Sequence, residues 1–221
     1  MEELGTILSK VHEITTNSAK PERIFADIAK ELFSNYCIKQ GNIEYRFLEI
    51  EFYYYSPKHQ DLKEDGKTPF VYKRQCDNAG AFFLHNSGVD ICFKNEKSEE
   101  QQYYGGILIR TLLRIEKTKE GNKYMVVCGP WDCCSALFNY TDSINFPKID
   151  KLSESNEIIP KSAKRYNVKG NFKDKKYCFY HNEANQVDWC YKGEKLARYN
   201  PETKNINEIK YNAKPWVCNR Q

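Results

Sequence analysis

The sequence predicts an α+β fold: an N-terminal helix followed by a strand-rich, mostly antiparallel body. Three observations carry this. Ile24, Ile28 and Leu32 recur four apart with Phe25, Ala29 and Phe33 beside them, which is one apolar face of a helix. Residues 47–52 then alternate apolar and acidic before three consecutive tyrosines, the pattern of a strand with two different faces. Several further apolar runs of strand length follow, each ended by turn-forming or polar residues.

The helix is expected over residues 18–40, with Pro21 near its start and Gly41 just past its end. The first strand spans 43–55. If regular, it turns Glu49 and Glu51 to the face opposite Leu48, Ile50 and Phe52, although Phe47 and Leu48 interrupt the strict alternation. Two acids on one strand face are ordinarily solvated. Residues 56–68 read as a polar connection, and 71–74 are ambiguous. Residues 80–85 form a strand that turns at Asn86, Ser87 and Gly88 and resumes over 89–93. A charged loop over 94–102 leads to the apolar segment 103–115, and 124–128 is a further strand. Gly129, Pro130 and Trp131 end it, and Asp132 is placed to cap a short helix holding Cys133, Cys134, Ala136, Leu137 and Phe138. Residues 148–157 read as a polar connection. Later strand candidates are 166–168, 177–180 and 187–191, and an apolar cluster occupies 215–218.

The composition bounds the function. The chain has 221 residues, 40% hydrophobic and 29% charged, which fits a single globular domain over 1–221 with residues 1–17 as a loosely packed N-terminal segment. No apolar run approaches the ~20 residues needed to cross a bilayer, and residues 1–11 lack the basic and apolar regions of a secretory signal, so a cytoplasmic location is expected and no membrane partner. The nine cysteines have no repeated spacing, which favours reduced thiols over a disulfide framework. They also lack paired C-x-x-C spacing, and the sequence gives no reason to expect a metal or a cofactor. Gly105 and Gly106 lie inside an apolar segment and read as close backbone packing rather than a phosphate loop.

The net charge of +4 permits a nucleic-acid partner without demanding one. Lys161, Lys164, Arg165, Lys169, Lys173, Lys175 and Lys176 crowd one stretch with Asp174 as its only acid. Such a stretch neutralises phosphates or is simply a solvated loop between strands.

The order of motifs resembles the methylpurine-DNA glycosylase family, also called alkyladenine or 3-methyladenine DNA glycosylases. The motifs that carry it are Glu49, Ile50, Glu51, Phe52, Tyr53; then Gly80 to Phe83 and Gly88 to Phe93; then Leu108, Ile109, Arg110, Thr111, Leu112; and finally Gly129, Pro130, Ala136, Leu137. The resemblance implies hydrolysis of the N-glycosidic bond of an alkylated or deaminated purine in DNA, as in base excision repair, by a monomer needing no metal. It also implies roles: Glu51 activates the attacking water, Arg110 helps hold that water, Tyr53 stacks on the base, and His59 contacts the base and its phosphate. His85, beside the turn, is a further candidate donor to a base, and Lys164, Arg165 and Lys169 are candidates for the nucleic-acid backbone. Chemically, one carboxylate with an orienting arginine is a minimal set for this hydrolysis.

This chain departs from the family pattern in two places. Ser87 stands before Gly88 where the family has the tyrosine that wedges into the duplex, so the resemblance points to single-stranded or otherwise non-duplex DNA. Thr68, Pro69 and Phe70 stand where the family has a basic Thr, Pro, Arg stretch. A second reading keeps the scaffold but not the chemistry, as a module binding nucleic acid or a nucleotide through its aromatics, with Glu51 and Arg110 as a structural ion pair. A third makes the scaffold an interaction protein. Catalysis requires Glu51 in a cleft with room for water; binding alone requires a pocket without such a site.

Overall fold

The computed structural model describes residues 3–16, 20–73, 78–94, 102–119, 121–139 and 145–181, together with the short stretches 190–191 and 194–195. The fold is α+β, as expected. Helices α1 (Leu4–Ser9), α2 (His12–Thr16) and α3 (Pro21–Asn35) precede β1 (Tyr36–Gln40) and β2 (Ile43–Tyr55). Then come β3 (Phe82–His85), β4 (Gly88–Cys92), β5 (Tyr104–Thr118), β6 (Gly121–Cys128), α4 (Pro130–Phe138), β7 (Lys148–Lys151), β8 (Lys161–Ala163) and β9 (Cys178–Tyr180). These nine strands form one sheet in the order β3-β4-β5-β2-β1-β7, with β6 beside β5, and β9 between β2 and β8. Every pairing is antiparallel.

Several expectations change. The helix ends at Asn35 rather than near Gln40, because Tyr36–Gln40 is taken into the sheet between β2 and β7, and Gly41, at φ +58°, supplies the left-handed residue of the β1–β2 hairpin. The N-terminal segment is not loosely packed: Leu4, Ile7, Leu8 and Val11 have helical spacing, and Ile7, Leu8 and Val11 are fully buried in the core. The first turn of α4 begins at Pro130 with Gly129 as N-cap, so Asp132 sits within that turn instead of capping it. The hairpin of β3 and β4 forms with Asn86 and Ser87 as its two-residue turn, whereas residues 166–168 are not a strand. Cys128 is disulfide-bonded, against the expectation of reduced thiols, while Cys37, Cys92, Cys133, Cys134 and Cys178 are free. The segments 187–189 and 215–218 lie outside the described residues.

The core lies between α3 and the even-numbered residues of the second half of β2. Phe25 stacks on Phe52 with centroids 4.6 Å apart and meets the edge of Tyr177 at 4.9 Å. Burying such a ring contributes roughly 2–3 kcal/mol. Near its middle β2 slips. Phe47 faces Leu112, Glu49 faces Thr111 and Ile50 faces Ile109, so Leu48 on β2 and Arg110 on β5 each stand as an extra residue. The slip explains the interrupted alternation: Tyr45 and Phe47 before it, and Ile50, Phe52 and Tyr54 after it, all enter the same core. The acids that alternate with them are left on the other side.

Candidate functional site: a buried charge cluster beside an aromatic cavity

On the face away from α3, Glu49, Glu51 and Tyr53 of β2 follow one another at every second position, next to Leu108 and Arg110 of β5. Burial corrects the idea of two solvated acids, since Glu49 and Glu51 are 1% and 0% exposed. Arg110 joins them. Its Nε donates to Glu49 Oε1 at 3.0 Å, and its guanidinium nitrogen lies 3.2 Å from Glu51 Oε2. Glu49 also accepts hydrogen bonds from the Thr111 hydroxyl at 3.0 Å and the Cys178 thiol at 3.4 Å. Glu51 accepts from the Tyr53 hydroxyl and from the Tyr166 backbone N–H, each at 2.9 Å. Arg110, the extra residue of β5, is thus aimed between both acids.

One arginine balances one carboxylate, and burial pushes the Glu49 pKa up to about 7 against the pull of Arg110. Burial works against the charge of Arg110, but Glu51 and Glu49 outweigh it and hold its pKa above the ordinary value. The Cys178 thiol and the Tyr53 phenol are both raised, first by burial and then by the neighbouring glutamates, so neither ionises at neutral pH. Glu49, Glu51 and Cys178 bring three ligand-type atoms together, but Arg110 already supplies the positive charge there.

A second buried ion pair lies beside this cluster. Arg165 holds Asp61 through two hydrogen bonds of 2.5 and 2.9 Å, with both side chains at 0% exposure, and its guanidinium sits 4.8 Å from the centre of the Tyr53 ring. The pair ties residues 61–70 to residues 165–171. The Leu62 N–H donates to Asn171 Oδ1, and Gly170 packs so closely on the Leu62 carbonyl that a Cβ there would lie 2.1 Å from it. Arg165 is therefore committed to Asp61 and is not a phosphate contact. Lys164 pairs with Asp174 and Lys175 with Glu22, which weakens the basic stretch as a backbone-binding surface; Lys169 is exposed.

Beyond Tyr53 the covering stops. A cavity of about 350 Å³ opens there, walled by Tyr53, Phe70, Tyr72 and Leu108, with Lys63, Thr68, His85, Ser87 and Asp90 as its polar lining. Phe70 is placed by the 61–70 loop, whose Phe70 N–H donates to the Asp61 carbonyl. The β3–β4 turn forms the opposite side. Gly88 (φ +139°) is pressed on the start of α4 so tightly that a Cβ would meet Pro130 at 2.8 Å, which fixes His85 and Ser87 in place.

The sequence-derived residues separate accordingly. Tyr53 and His85 line the cavity; Glu51 and Arg110 lie behind Tyr53 and do not. His59 faces the core, ringed by Phe172 at 4.6 Å and Tyr54 at 5.6 Å, and burial and Arg165 lower its pKa to about 4, so it does not meet a base or phosphate. Tyr54 is hydrogen-bonded to Thr15 in the core, and Tyr104 stacks on Tyr55. Sequence reasoning missed Phe70, Tyr72 and Asp90. Asp90 did carry a signal, as the single charge inside the apolar run 89–93.

No family model matches the chain. It is similar to an uncharacterized protein of Acanthamoeba polyphaga mimivirus, 29% identical in an alignment of 156 residues that covers 60% of this chain and 63% of the viral protein. No described helix is long and apolar enough to cross a membrane.

Proposed function

We propose that this protein binds a nucleobase in the cavity beside Tyr53 and through it engages an unpaired nucleotide. The observation that carries this reading is the cavity itself: about 350 Å³, with aromatic faces on Tyr53, Phe70 and Tyr72, polar groups on its floor, and Lys63 in its lining. Rings offer every base a stacking surface, and an ammonium group beside them suits a phosphate. The test is fluorescence anisotropy with single-stranded and duplex oligonucleotides. Wild type is expected to favour the single strand, and Tyr72→Ala to weaken that binding about tenfold, the size of one stacking contact. Equal binding by Tyr72→Ala and wild type would overturn the reading.

Hydrolysis of an N-glycosidic bond is the second reading, favoured by the 3.2 Å approach of Arg110 to Glu51 and by the Tyr53 hydroxyl that links Glu51 to the cavity wall. Glu51 is enclosed by Arg110, Tyr53 and Tyr166, so a water reaches it only if one of these donors withdraws when the ligand binds. Single-turnover base release from oligonucleotides carrying alkylated adenine or hypoxanthine separates the two. Release by wild type but not by Glu51→Gln establishes hydrolysis. Binding that depends on Tyr72 without release leaves the binding module.

A further inference from the structure

Alternation along β3 sends its side chains to two faces. Phe83 and His85 turn toward Tyr72 at the cavity, with ring centroids 6.2 and 4.8 Å from it, while Phe82 turns toward α4 and meets the edge of Phe138 at 5.5 Å. On the α4 side Leu84 borders an open hollow of about 460 Å³, with Trp131, Cys134 and Asn86 around it. His85, the last residue of β3, lines both this hollow and the cavity. The two recesses therefore stand back to back, and the tip of the β3–β4 hairpin is the wall between them.

Trp131 is 59% exposed and Leu84 51%, and with Tyr72 at 46% they make three of the six large apolar side chains exposed among the described residues. All three border His85. A single exposed apolar residue needs no explanation, whereas a group around one recess marks a contact surface. Trp131 is also held in place without being buried. Gly129 donates its N–H to the Arg110 carbonyl at 2.8 Å, and Pro130 is the residue on which Gly88 presses. The indole is thus a fixed, open ring that adds little to the fold.

What the hollow adjoins sets its occupant. It holds no Lys, Arg, Asp or Glu among the described residues, so it suits the face of a ring and not a phosphate. A strand that delivers one base to the cavity has to pass the hairpin, and behind the hairpin it meets a ring on which any base stacks. Building on the base-binding reading above, we propose that the ligand is an unpaired nucleic-acid strand laid across the β3–β4 hairpin, with one base in the cavity beside Tyr53 and a neighbouring base on Trp131. The hairpin is the spacer between the two bases, and Trp131 makes the protein a reader of strands instead of free nucleotides.

The test is a calorimetric titration with 5′-phosphorylated thymidylates and adenylates of one, two, four and six nucleotides. For wild type, affinity is expected to rise at least tenfold from the mononucleotide to the tetranucleotide, the size of one added stacking contact. Trp131→Ala is expected to remove that rise while leaving mononucleotide affinity and the urea midpoint unchanged, and Trp131→Phe to keep most of it. Tyr72→Ala lowers affinity at every length. Equal affinity at all lengths, or a rise that survives Trp131→Ala, overturns the strand proposal and leaves base binding standing. So does a Trp131→Ala variant that binds every oligonucleotide normally but loses a self-association seen by gel filtration, which would make the hollow a protein contact. Binding at no length overturns both readings.

Discussion

Glu51 and Tyr53 are two residues apart on one strand and one face, yet they belong to opposite kinds of site. Around Glu51 every approach is occupied by Arg110, the Tyr53 hydroxyl and the Tyr166 N–H. Around the ring of Tyr53 one side is taken by Arg165, and the other opens on the cavity. What differs is the covering chain: residues 165 and 166 close over the acids, whereas Phe70 and Tyr72 stop short and become walls. Closed polar groups hold the fold together and respond to pH. Groups lining an open cavity are available to a ligand and carry little of the stability.

The sharpest way to break this contrast is to remove a charge from the closed half. Arg110→Met leaves the acids without their counter-ion, and a loss of about 3–5 kcal/mol is expected in urea unfolding, the cost of stranding a buried charge. Arg165→Met should cost a similar amount, and Asp61→Leu added to it should recover much of the loss, so that the double variant is more stable than Arg165→Met alone.

Next in size is a pH effect at Glu49. Because the fold raises its pKa from the ordinary value of 4.5 to about 7, its neutral form is favoured, and its contribution is complete below pH 4.5 and is lost as pH rises through 7. The loss is up to ~3 kcal/mol. Glu49→Gln mimics the neutral form, so its stability relative to wild type should rise between pH 5 and pH 8; a flat difference in urea midpoints would place the Glu49 pKa back in the ordinary range. His59 and His181, both lowered to about 4, run the other way. Their neutral forms are favoured, and stability is lost as pH falls from about 6.5 toward 4, which Glu49→Gln leaves in place.

Tyr72→Ala carries the smallest effect on stability. Tyr72 is 46% exposed, so a change within about 0.5 kcal/mol is expected, even though ligand binding falls tenfold. A large destabilisation would make Tyr72 part of the packed core and dissolve the contrast.

Much of this was legible in the sequence because it followed strand periodicity. The span of β2 and the β3–β4 hairpin come from alternation and from the spacing of strong apolar runs, whereas the pairing of Glu51 with Arg110 was expected only from the family resemblance. The burial of the acids was not legible. It depends on Tyr166 and Arg165, more than 100 residues away in sequence, in a segment whose basic residues suggested solvent. Tyr72 and Phe70 were hidden for a related reason: they lie on a loop without periodicity, held by the contact of Leu62 with Gly170 and Asn171. His59 misled because position in the chain says nothing about which side of a turn a ring will enter.

The matched slips at Leu48 and Arg110 bear on how this chain tolerates change in length. A single-residue deletion in β2 between the slip and Tyr53 would invert the phase of everything beyond it, carrying carboxylates toward Phe25 and phenyl rings into the charged layer. Deleting Leu48 and Arg110 together would restore an unbroken ladder, yet remove the arginine that the acids require. The sheet can therefore be regularised or it can keep its ionic layer, and insertions are confined to the loops at its ends.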